Sequence, residues 1–111
     1  MPTWADVRRI ALSLPGAEES TSYGRPCFKV NGRPFVNTSR EAGAISTRCS
    51  AEEMELLIQA RPDVYFVTPH YLGWEAVLVR LDAVDEEELA GRLEDSWEHM
   101  SRKKPARPRK R

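Results

Sequence analysis

Cysteine, histidine and long apolar runs are all scarce in this chain. Its 111 residues include two cysteines, Cys27 and Cys49, and two histidines, His70 and His99. Two thiols are too few to staple a small secreted fold, which needs several crosslinks in place of a large core. The cysteines stand 22 positions apart and the histidines stand alone, so no zinc-binding spacing is present. Both thiols read as small buried hydrophobes. No apolar stretch approaches the ~18 residues of a membrane span, and the N-terminal MPTWADVRR has no apolar signal core. The expected setting is cytoplasmic, with no membrane partner. The Gly-x-Ser-x-Gly elbow, the P-loop and the Gly-x-Gly-x-x-Gly fingerprint are also missing. No metal, cofactor or catalytic residue is expected. A Cys27–His70 dyad would depend on the fold bringing the two together, so enzymatic activity stays open without a specific signal.

Net charge is missing as well, because 17 Lys+Arg balance 17 Asp+Glu. That balance conceals an uneven layout. Residues 102–111 read RKKPARPRKR, seven basic side chains with no acidic one, which leaves ten basic against 17 acidic, a net of −7, over residues 1–101. The expectation is a single domain over 1–101 and a disordered basic tail over 102–111, since Pro105 and Pro108 interrupt helix and like charges repel. Contact of Arg102, Lys103, Lys104, Arg107, Arg109, Lys110 and Arg111 with phosphates would release counterions, giving a log K against log[salt] slope of up to about −6. The same tail would also suit RNA, anionic lipid, the domain's own acidic face, or solubility alone.

A composition of 41% hydrophobic and 31% charged residues is that of an ordinary globular domain. Thr3 and Asp6 resemble a capping box, and Trp4, Val7, Ala11 and Leu14 recur at helical spacing, which predicts a helix over 4–13 stopped by Pro15-Gly16. A polar stretch, Ala17 to Ser22, then leads into Tyr23-Gly24-Arg25-Pro26. Cys27–Val30, Asn31-Gly32 and Arg33–Val36 form a hairpin signal, because Asn-Gly accepts the positive φ angles of a type I′ turn. Pro34 lacks an N–H and favours an edge position for the second strand. Ala44–Arg48 reads as a third strand after a turn at Arg40–Gly43. Ser50 and Glu53 cap a second helix with Met54, Leu57 and Ile58 as its stripe, ending near Arg61-Pro62. Val64–Val67 and Ala76–Leu81 read as two further strands. Asp85 and Glu88 cap a last helix striped by Leu89, Leu93, Trp97 and Met100. The carboxylates at 85–88 complement that helix's dipole more readily than they bind a cation. The order α-β-β-β-α-β-β-α implies an α+β fold, a mainly antiparallel β-sheet packed with helices.

Two groups of side chains suggest contacts. Arg25, Lys29, Arg33, Arg40 and Arg48 face only Glu41 between residues 25 and 48, a cationic stretch in an acidic domain. It is either the solvated face of ordinary strands or a β-ribbon offering cations to phosphate. Phe28, Phe66 and Trp74 read as core aromatics, whereas Tyr23 and Tyr71 lie on loops suited to ligand contact. With His70 and Trp74 these tyrosines outline a candidate pocket for a protein or small molecule, the alternative to nucleic acid.

Leu14-Pro15-Gly16-Ala17-Glu18-Glu19 followed by Tyr23-Gly24-Arg25-Pro26-Cys27-Phe28-Lys29-Val30 resembles the opening of the MmcQ/YjbR family. Pro69-x-Tyr71-x-x-Trp74 and Val79-Arg80-Leu81 before a Glu- and Leu-rich helix are similar too. The resemblance covers about residues 3–100 and implies a CyaY-like α/β sandwich and a DNA-binding role with a double wing of β-hairpins. The first wing would be the 27–36 hairpin, with Lys29, Asn31 and Arg33 near its tip. The second would be the 64–81 hairpin, with His70 and Tyr71 in its loop. The leading expectation is therefore weak, largely nonspecific binding of DNA phosphates through the wings and tail, without catalysis. A monomer is the simplest state.

Overall fold

The computed structural model describes residues 2–22, 24–69 and 75–102. Three helices and six strands follow one another as α1 (Trp4–Leu12), β1 (Glu18–Ser22), β2 (Arg25–Val30), β3 (Arg33–Thr38), β4 (Ala44–Arg48), α2 (Ala51–Ala60), β5 (Tyr65–Phe66), β6 (Ala76–Arg80) and α3 (Glu86–Ser101). All pairings are antiparallel, in the spatial order β1-β2-β3-β4-β6-β5. The α+β class expected from the patterning is the class observed, with one strand more.

Helix α1 starts where the Thr3 backbone N–H donates to Asp6 Oδ2 at 2.9 Å. That N–H holds the Asp6 carboxyl below its ordinary range, with Arg9 assisting. The Ser50 and Asp85 side chains accept from Glu53 N and Glu88 N at 3.1 and 2.7 Å, starting α2 and α3 as their capping pairs require. The stripes Val7, Ile10 and Ala11 on α1 and Leu89, Leu93 and Met100 on α3 are buried. They cover one face of the sheet, where Phe28, Val36, Ile45, Val77, Val79 and Tyr65 join the same core. Trp4 lies against Phe28 with ring centroids 5.5 Å apart. Trp97 is half-buried rather than buried, because its indole N–H reaches the Pro15 carbonyl at 2.8 Å. Helix α2 joins the same layer through Met54, Leu57 and Ile58, and Arg92 of α3 bridges to its Glu53 at 3.3 Å.

Two expectations are corrected. The stretch Ala17 to Ser22 is not merely a polar lead-in, since Glu18–Ser22 is strand β1, paired along its length with β2 from Glu18↔Lys29 to Ser22↔Arg25. Gly24, at φ +77°, takes the left-handed conformation needed in that tight connection. Strand β3 is interior, between β2 and β4, and not an edge. Pro34 is accommodated locally: it sits opposite Lys29 beside a register shift, and the pairing of β3 with β4 begins only at Val36↔Thr47.

Candidate nucleic-acid interface

Strand pairing decides which cations meet. Residues directly opposite in an antiparallel pair share a face, and alternate residues along a strand share it too. The helix layer covers the Phe28 face, so the other face carries Arg25, Cys27 and Lys29 from β2, Asn37 from β3, Ser46 and Arg48 from β4, and Leu78 and Arg80 from β6. Its centre is closed to solvent, with Cys27 and Leu78 fully buried and Ser46 nearly so, and the cations stand at its margins. Direct contacts confirm the assignment. Arg48 donates from Nη1 to Ser46 Oγ at 2.9 Å and from Nη2 to Asn37 Oδ1 at 3.1 Å. Burial pushes the Cys27 thiol up, against the opposing pull of Lys29 and Arg48 beside it. A buried, protonated thiol is a poor nucleophile, which weighs against a Cys27-based dyad.

The hairpin closes as its Asn-Gly signal requires. Val30 pairs with Arg33, and Asn31 and Gly32 have φ of 55° and 76°. The Asn31 side chain then does something periodicity could not show: its Nδ2 donates to the Ser101 carbonyl at 3.1 Å. Ser101 is the last residue of α3, so the hairpin tip is fastened to the root of the basic tail. Arg102, the first tail cation, also bonds to Glu98 at 3.0 Å. Lys29 is half-buried and opposite Glu18, and Arg33 is half-buried and engaged with its surroundings. Lys103, Lys104, Arg107, Arg109, Lys110 and Arg111 lie outside the described residues. So do Tyr23, His70, Tyr71 and Trp74, which comprise the whole aromatic pocket and the expected loop of the second wing.

Arginines divide by layer. On the helix side Arg8 pairs with Glu19, Arg9 with Asp6 and Glu86, Arg61 with Asp63 and Glu88, and Arg92 with Glu53. Arg25, Lys29 and Arg80 on the other face, and Arg40 in the β3–β4 connection, form no ion pair or side-chain hydrogen bond with any described residue. Arg80 is held in another way, with its guanidinium carbon 4.1 Å from the centre of the Phe66 ring. Phe66 pairs with Leu78, which puts it diagonally beside Arg80 on the same face. Arg80 and Phe66 are absent from the candidates drawn from sequence, because an arginine ending the run Ala-Val-Leu-Val-Arg looks like a strand terminus until the β5–β6 register is known.

The helix side is acidic in return. A cleft of about 490 Å³ between the start of α1 and the β6–α3 connection is lined by Asp6, Asp82, Asp85 and Glu86. Four carboxylates make it unfit for an anion, and among the described residues no cluster of three His, Cys, Asp or Glu is arranged to hold a metal. No helix among them is long and apolar enough to cross a membrane.

Comparison with known proteins agrees with this architecture. The chain is 34% identical over 113 residues to uncharacterised proteins of Mycobacterium tuberculosis (Rv2570) and Mycobacterium bovis (Mb2600), covering 87% of each chain. The crystal structure of Deinococcus radiodurans protein DR2400, a DUF419 domain, superposes with a TM-score of 0.78 at 27% identity, covering 93% of this chain and 81% of that one. The YjbR family profile matches residues 12–99. With that span, these elements in this order and relatives at this identity, the chain belongs to the YjbR family.

Proposed function

We propose that the protein binds the phosphate backbone of DNA, weakly and without sequence readout, and performs no chemistry on it. The observation that carries this reading is the Asn31–Ser101 hydrogen bond, which brings Lys29 and Arg33 of the hairpin to the place where seven tail cations begin. Segregation of charge supports it. Cations without an ion-pair partner among the described residues lie on the sheet, and most of the acids belong to the helices, with Glu18 opposite Lys29 and Glu41 and Asp82 at the sheet's end as the exceptions. Such an arrangement orients a domain of net −7 so that a duplex meets its basic side. Phosphate contacts position a protein and carry no direct sequence information, so affinity should vary little between duplexes of equal length.

Fluorescence anisotropy with a short labelled duplex at about 50 mM salt tests the reading, a regime in which non-specific electrostatic binding is strong. Three chains are compared: wild type, Lys29→Glu/Arg33→Glu, and a full-length chain whose tail cations are replaced by glutamine. Both variants should bind more weakly than wild type. Absence of wild-type binding at this salt overturns the reading. Binding that the tail substitutions alone abolish, with the hairpin variant unaffected, removes the folded domain from it.

A further inference from the structure

Three arginines gather at the end of the sheet opposite the hairpin tip. Arg25 opens β2, Arg40 lies in the β3–β4 connection, and Arg80 closes β6, where it pairs with Ala44 at the start of β4. The β2–β3 register, Cys27↔Asn37, brings Arg25 level with the end of β3. The Leu81 N–H donates to the Gly43 carbonyl at 2.9 Å and fastens the β3–β4 turn to the end of β6. Arg25 and Arg80 are three strand positions apart, about 14 Å at the usual ~4.8 Å spacing. Arg40 stands in the connection between them. Glu41 and Asp82 are at the same end, yet none of the three arginines is ion-paired to a described residue.

Arg80 is the best prepared of the three. It is exposed, and Phe66 holds its guanidinium by one flat side, leaving five N–H donors without a partner among the described residues. An arginine kept free of carboxylates and restrained in its rotamers loses little entropy on accepting a phosphate, whose oxygens match its fork. We propose that Arg80, seated on Phe66, forms with Arg25 and Arg40 a second phosphate-binding row at the rim of the sheet. This row is about 13 Å along β2 from Lys29, four residues at ~3.3 Å each. The inference rests on the proposed function and extends it: a nucleic-acid backbone gripped at the hairpin and tail is gripped again at this rim. Along ~14 Å each strand of a duplex offers about four phosphates, one per ~3.4 Å, enough to meet all three side chains.

Two probes test it, a short duplex and inorganic pyrophosphate, each against the full chain and its Arg80→Gln, Phe66→Leu and Arg25→Gln/Arg40→Gln variants. Arg80→Gln should weaken duplex binding about three- to tenfold and lower the salt slope by about one, the signature of one lost phosphate contact. Phe66→Leu keeps the charge, so the slope should stay while affinity falls about twofold with the lost restraint. Pyrophosphate should shift the amide resonances of residues 25, 40 and 80 in wild type and not in Arg80→Gln. Duplex binding by wild type with unchanged affinity and slope in Arg80→Gln overturns the inference and leaves the proposed function standing. If the duplex does not bind at all, the proposed function fails, and pyrophosphate decides the row alone: shifts at residues 25, 40 and 80 sustain it, and their absence or displacement overturns it. Circular dichroism confirms that each variant is folded.

Discussion

Ser96 and Cys49 show how single buried groups hold the helix layer to the sheet. The Ser96 hydroxyl accepts from the Arg48 backbone N–H at 2.7 Å and donates to the Phe35 carbonyl, joining α3 to β3 and β4 at once. Ser96→Ala leaves both backbone groups buried without that partner and should cost about 2 kcal/mol in denaturant unfolding. Cys49 is fully buried, and burial pushes its thiol up to about 11, against the opposing pull of Arg92. The raised value means the folded protein keeps a proton that the unfolded chain gives up. Stability from this group is complete below the unfolded thiol value and is lost as pH rises toward 11. The buried Tyr65 phenol, which donates to Glu88 at 2.9 Å, is pushed up as well and adds to the loss at still higher pH. Urea unfolding at pH 8 and pH 10.5 should show wild type losing about 2 kcal/mol more than Cys49→Ala between the two. The thiol should also resist labelling at pH 8 until the protein is unfolded.

The β2–β3 hairpin is the element that the proposed interface depends on most. Gly32 at φ 76° occupies the left-handed region, so Gly32→Ala should lower stability by about 1 kcal/mol and weaken DNA binding together with it. Asn31→Asp, which tolerates the same φ but removes the donor to Ser101, should lower DNA affinity with little change in the thermal midpoint. This hairpin, the three helices and their caps were legible from turn chemistry and apolar spacing, because each is a local pattern read over a few residues. Strand β1 was not. Glu-Glu-Ser-Thr-Ser has no apolar alternation, since an edge strand solvated on most sides has little need of one. Pro34 misled for a related reason: its missing N–H signals an absent partner, and the register shift and late start of β4 supply that absence inside the sheet. Among the site residues, Lys29, Arg33 and Arg25 were visible as a cationic run. Arg80 and Phe66 were not, because their contact joins two strands whose register no local pattern states.

At the scale of the whole molecule the central claim concerns where unpaired positive charge lies. A formal net charge of zero conceals a helix layer whose arginines are bound to acids and a sheet whose Arg25, Lys29 and Arg80, with Arg40 in the β3–β4 connection, form no ion pair with a described residue. Exposed ion pairs such as Arg8–Glu19 contribute at most about 1 kcal/mol each to stability, so their consequence here is mainly to keep those arginines from competing for phosphate. The most direct measurement is the slope of log K against log[salt] for duplex binding by the full-length chain with all seven tail cations replaced by glutamine. The account predicts binding that persists with a slope of about −2 to −4, as three or four sheet-side contacts would give. A slope near zero, or binding lost entirely with the tail charges, would contradict it.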